Sequence, residues 1–156
     1  MSVYIRPGEL RNNFSIMYHD LIDEYHPYIG DKALLYYLFL LRYRHTKEGD
    51  MYGKSWNGRA SVVSKFQMSF STLPMLDKIL QASGLIDIET KDVKRGREKI
   101  FYIVNDPPID CGSERWKQRM EQAMHQLIVD DPRVVDLLGK EKYPPATKKK
   151  IKSTLE

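Results

Sequence analysis

The sequence predicts an α+β fold, and three observations carry that prediction. Trp56 to Ser83 reads as two short helices joined by a tight turn, and Leu85 to Val104 then reads as two strands on either side of a basic stretch. A long helix from Lys32 to about His45, apolar on nearly every face, precedes both and belongs at the centre of the fold. With 156 residues and 42% aliphatic and aromatic content, the chain can build one core and carry an appendage.

Val3-Tyr4-Ile5 predicts a short strand before the Arg6-Pro7-Gly8 turn, and Phe14 to Tyr18 alternates as another. Asp20 to Tyr25 predicts one or two helical turns ended by His26-Pro27, because the residue before a proline is pushed out of the helical region. Asp31 can cap the long helix that follows. Arg42, Arg44 and His45 complement the carbonyls of its last turn, and Gly49 and Gly53 mark a loop.

Asn57 is the expected cap of the next helix, which runs to Phe66 with Ala60, Val62, Val63 and Phe66 on its apolar side. Gln67-Met68-Ser69 forms the turn. Ser71 or Thr72 caps the following helix, Pro74 sits in its first turn, Leu73, Leu76 and Leu80 repeat toward the core, and Gly84 stops it. Leu85 to Ile88 and Ile100 to Val104 are the strands, separated by Lys91 to Lys99. Helix, turn, helix and hairpin in this order make a winged helix-turn-helix.

Asn105-Asp106-Pro107-Pro108 breaks the sheet and begins a separate piece with two additional helices. Ser113 caps the first, Glu114 to Val129, whose residues Trp116, Met120, Ala123, Met124, Leu127 and Ile128 form an apolar stripe. Asp131-Pro132 starts the second, with Val134, Val135, Leu137 and Leu138, and Gly139 closes it. Beyond Tyr143-Pro144-Pro145 no apolar period remains. The expected organisation is a winged-helix domain over 1–106, a helical appendage over 107–142 and a basic flexible tail over 143–156.

A net charge of +4 and a pI near 9.0 suit an acidic partner such as nucleic acid. The excess is unevenly placed: residues 1–30 carry two arginines against four acids, whereas Lys91 to Lys99 holds five bases against two acids. The single cysteine, Cys111, excludes an intramolecular disulfide and fits a reducing cytosol. The longest apolar run, Ala33 to Leu41, is nine residues, too short to span a bilayer, so no membrane partner is expected. His19, His26, His45 and His125 lack ligand spacing, and Asp20, Asp23, Glu24, Asp130 and Asp131 stand at helix ends with no nucleophile, phosphate cradle or metal pattern beside them. Neither an enzyme nor a metal or cofactor is expected.

The segment from about Phe14 to Ile103 resembles the N-terminal winged-helix domain of bacterial, phage and plasmid replication initiation proteins, the group containing DnaD-like primosomal proteins and phage replisome organisers. In that group an "AxLLYxLLL" helix comes before a Trp and a helix-turn-helix ending in "LxxxGLI"; here these are Ala33 to Leu41, Trp56, and Leu80 to Ile86. The resemblance implies a role in replication initiation or primosome assembly, with double-stranded DNA and a replication protein as partners. Where such domains carry a glycine in the turn this chain has Gln67, which strains or reshapes the turn.

The candidate DNA-binding residues are Arg59, Lys65, Ser69, Ser71, Thr72 and Lys78 on the helix-turn-helix, and Lys94, Arg95, Arg97 and Lys99 on the wing. Trp116, Met120 and Met124 read as intramolecular core or, with Leu127, as the candidate surface for a homo-oligomer or partner, since their stripe follows a Pro-Pro break. Two alternatives stand beside this reading. One is a transcription repressor of a mobile element; the other, of a different class, is a protein that captures another protein through Phe70, Pro74 and Met75.

Overall fold

Ala33, Tyr36, Tyr37 and Leu40 are shielded from solvent, so the apolar run of the sequence lies where its composition demands, in the middle of the core. The computed structural model describes residues 8–9, 12–47, 49, 52–55, 59–93 and 97–155, without the side chains of residues 55, 91–93 and 97–99. The architecture is α+β. A π-helical turn, Leu21–Tyr25, leads into α1, His26–Arg42, and is followed by β1, Lys54–Ser55, α2, Arg59–Phe66, and α3, Leu73–Ser83. Then come β2, Ile86–Val93, β3, Arg97–Val104, α4, Glu114–Asp130, a 3-10 turn, Pro132–Leu137, and α5, Pro145–Leu155.

The sheet is antiparallel, in the order β1-β3-β2. The hairpin pairs without slip from Ile86↔Val104 to Val93↔Arg97, and β1 joins it through Lys54↔Ile103. Among the described hairpin side chains, Ile88 and Ile100 pack half-buried against the core. The basic stretch expected to separate two short strands is strand itself over 91–93 and 97–99, because cross-strand backbone bonds continue the ladder there. β1 was not foreseen; the stretch around Gly53 carries it, with the Gly53 carbonyl accepting from Val104 N–H at 2.9 Å.

Pro27 does not end the first helical segment. It occupies the first turn of α1, where its missing N–H costs nothing, and the break falls at Gly30, with φ 83° and ψ 177°. α1 then stops at Arg42, so Arg44 is not a helix-end cation; it donates to the Val104 carbonyl at 3.2 Å and pairs with Asp106 at 2.9 Å. Phe14 to Tyr18 forms no strand among the described residues and is exposed. The expected strand at Val3 to Ile5 and the cap at Asn57 lie outside the described residues.

The C-terminal third is part of the same core. Trp116 (3% exposed), Met120, Met124 and Leu127 are buried together with Val134, Val135 and Leu138 in one cluster with α1 and α3. Trp116 stands edge-on to Tyr25 and Tyr28, at ring-centroid distances of 5.0 and 6.1 Å. The expected separate appendage is thus corrected, and with it the assignment of these four residues to an oligomer surface. An amphipathic stripe needs cover, and α3, the 3-10 turn and the rings of Tyr25 and Tyr28 in the same chain supply it.

Gly139 explains how residues 27–30 and 137–139 dock so closely. Its N–H donates to the Tyr28 carbonyl at 3.0 Å, and a Cβ on Gly139 would run into the Pro27 carbonyl, as one on Gly30 would run into the Leu137 carbonyl. The expected flexible tail is likewise corrected. Lys148 of α5 donates to the Leu138 carbonyl at 2.7 Å, at the end of the 3-10 turn, and Ile151 rests half-buried against the core.

Candidate nucleic-acid interface

The turn between α2 and α3 adopts the left-handed conformation at Gln67, with φ 53°, so the backbone takes the shape usually given to glycine and keeps the larger side chain outside. Beyond it Ser69 Oγ lies 2.9 Å from Ser71 Oγ and 2.8 Å from Thr72 Oγ1. The three predicted hydroxyls are therefore one mutual network. Thr72 begins α3, but its backbone is already helical and its side chain makes no capping bond, so it is a starting residue and not the expected cap.

α3 presents its inner face as the spacing predicts. Leu73, Leu76 and Leu80 are fully buried, and Ile79 and Asp77 join them. α4 and the 3-10 turn pack along a second side of the helix, leaving Met75 and Ala82 half-buried. What remains exposed is a strip of Pro74, Lys78 and Gln81, with Phe70, 59% exposed, in the turn before it. Met75 is accordingly no free element of a protein-binding face; its side chain packs on the core.

Two predicted DNA-binding cations are held by carboxylates. Arg59 pairs with the buried Asp77 at 2.7 Å, its Nε also donating to Tyr102 Oη at 3.3 Å. Arg59 is thus the counter-ion of an α3 carboxylate, with its own side chain 36% exposed. Burial pushes the Asp77 carboxyl above its ordinary range, the opposing pull of Arg59 and of the Tyr36 and Tyr102 hydroxyls notwithstanding. An ionised carboxylate there without Arg59 would be an unpaired charge in the core.

Lys78 reaches Asp131 at 2.9 Å. That carboxylate, 7% exposed, is also gripped by Arg133, whose Nε and Nη2 donate at 2.9 and 3.0 Å, and whose backbone N–H donates at 3.3 Å. Hydrogen bonds from Arg133 and Lys78 hold Asp131 far below the usual carboxylate range, so it stays ionised. Two cations share one anion, and the triad carries a net positive charge on an exposed side: Lys78 is 46% exposed and Arg133 72%.

Lys65 is exposed near the end of α2. Lys94 and Arg95 lie outside the described residues, and for Arg97 and Lys99 the backbone is placed in β3 while the side chains are outside that description. Ser69, Ser71 and Thr72 are thus brought together just before α3, Lys78 lies on its exposed strip, and Arg59 is tied to Asp77. Sequence reasoning missed Asp77 and Arg133. A lone acid at the core-facing position between Leu76 and Leu80 was a signal that a cation must meet it, whereas nothing local to Arg133 indicates that it faces α3.

Among the described residues no group of His, Cys, Asp and Glu could hold a metal, and no helix is long and apolar enough to cross a membrane. Comparison with protein-family models, curated proteins and solved structures finds no match for the chain.

Proposed function

We propose that this chain is a winged-helix protein that docks on duplex DNA, with the β2–β3 hairpin as its wing and the exposed strip of α3 beside it. The observation that carries the reading is the hairpin: its strands stay paired to Val93↔Arg97, and its residues 91–99 hold five bases against two acids. Its charge suits phosphates, which attract cations at any sequence. α3 offers the tethered Lys78, Gln81 and the hydroxyls of Ser71 and Thr72, a set better suited to positioning on the backbone than to reading base edges.

The role in replication initiation for a phage, plasmid or bacterium rests on the resemblance of residues 14–103 to that group of replication proteins. A second reading keeps support from one observation. Phe70, exposed beside Pro74, is an apolar anchor of the kind that captures a protein.

Fluorescence anisotropy of a labelled random-sequence duplex with the full chain tests the DNA reading. Affinity should fall with salt, and Lys94→Ala, Arg95→Ala and Arg97→Ala should weaken specific and random duplexes alike, each genuine contact lowering the salt slope by roughly 1. No affinity at low ionic strength would overturn it. If instead Phe70→Ala abolishes capture of a bacterial protein that survives nuclease treatment, the protein-binding reading takes its place.

A further inference from the structure

Asp131 arranges a second cationic contact on the α3 side of the molecule. Lys78 comes from the exposed strip of α3 and Arg133 from the 3-10 turn much later in the chain, yet both close on the same carboxylate. Asp131 is fixed in turn: it is buried, and its own N–H donates to the Leu127 carbonyl at 2.8 Å at the end of α4. A shared buried anion holds two flexible cations in one place, removing much of the side-chain entropy that each would lose on binding alone. An ammonium with three donors and a guanidinium with five keep further N–H groups after these bonds, and both side chains remain open to solvent.

We propose that Lys78 and Arg133, pre-set by Asp131, form a phosphate clamp that grips the backbone of duplex DNA alongside α3. The inference rests on the DNA reading above and extends it into the C-terminal third, which the resemblance to replication proteins does not cover. Phosphate suits the site for two reasons. The triad keeps a net positive charge, so an anion is attracted despite Asp131. Arginine in a fork geometry matches the oxygens of a phosphate, while Pro74, Lys78 and Gln81 present no carboxylate along the strip to repel it.

The test uses the full chain and a labelled random-sequence duplex over a salt series. Arg133→Gln removes the charge while retaining a donor for Asp131, and Lys78→Gln does the same on α3. Each should weaken binding several-fold at moderate salt and lower the salt slope by roughly 1 in a chain that still melts cooperatively, and Arg133→Lys should keep most of the slope. If the wing substitutions weaken binding while both glutamine variants keep wild-type affinity and slope, the clamp is overturned and the DNA reading stands. If wild-type protein does not bind duplex at low salt, both fall. A labelled acidic peptide run in parallel identifies a protein ligand: tight, Arg133-dependent binding of the peptide without duplex binding overturns the clamp in favour of that class.

Discussion

Trp116 meets the ring of Tyr25 edge to face at 5.0 Å, joining the fourth helix to the turn that opens the described helical core. Trp116→Ala should therefore cost about 3–5 kcal/mol in a denaturant titration, the loss expected for a large buried aromatic. A chain truncated after Asn105 should expose the Tyr25, Tyr28, Ile79 and Leu80 side of the core and aggregate or unfold. Recovery of a truncated chain with a cooperative transition at the wild-type midpoint would contradict this packing.

Gly139→Ala should destabilise by about 1–3 kcal/mol or more, because the new methyl meets the Pro27 and His26 carbonyls, which belong to backbone and cannot swing aside. Gly8→Ala, where a Cβ meets nothing, serves as the control and should leave the midpoint unchanged. Equal behaviour of the two variants would show that the 27–30 and 137–139 segments do not approach as described.

For α3, Leu76→Ala should lose about 2–5 kcal/mol by opening a cavity, whereas Gln81→Ala on the exposed strip should stay within about 0.5 kcal/mol of wild type. Comparable losses at the two positions in urea would mean that the helix is rotated about its axis.

Arg59→Ala leaves the Asp77 carboxylate buried without its cation, and the loss should depend on pH. Burial has already raised the folded-state pKa of Asp77 above its ordinary value of 3.8, and removing Arg59 raises it further. Stability linked to such a group is fully present below the unfolded pKa and is lost as pH rises through the folded one. The gap between Arg59→Ala and wild type should accordingly narrow as pH falls toward 4, and Asp77→Asn in the same background should restore much of the midpoint at pH 7. A gap independent of pH would rule out the unpaired carboxylate as its cause.

Asp131 carries the opposite sign. Its folded pKa lies far below the unfolded value of 3.8, so its contribution is present above that value and is lost as pH falls through the folded one. Asp131→Asn should be less stable than wild type at pH 7 and should lose less on acidification below about pH 4, read as melting temperature against pH. An acid limb identical to that of wild type would remove Asp131 from the set of carboxylates that stabilise the fold.

The sequence was most legible where a period speaks for itself. Leu73, Leu76 and Leu80, the Ser113 cap that accepts from Trp116 N–H at 3.1 Å, and the end of α3 at Gly84 all follow from local rules, and all lie where those rules put them. The stripe on α4 was legible as a buried face but not as to what buries it. Amphipathicity states a need for cover and is silent on whether the cover comes from a second copy or from the same chain. The same limit applied to charge. Arg59 and Lys78 read as surface cations because their counter-ions, Asp77 and Asp131, lie 18 and 53 residues away. Gly30 was unreadable for a related reason, since the carbonyl that forbids a side chain there belongs to Leu137.

The bond from Gly139 N–H to the Tyr28 carbonyl also has a meaning for synthesis. A ribosome releases Tyr28 long before Gly139, so α1 and the turn before it emerge with one flank lacking its partner, and that flank includes Tyr25 and Tyr28. The sheet and the helix pair can assemble in the meantime, but the molecule closes only when the last third of the chain arrives. Long-range closure of this kind slows folding relative to a chain of local contacts. Translation that halts before residue 139 leaves an open product with an uncovered aromatic flank, the form on which proteases and chaperones act.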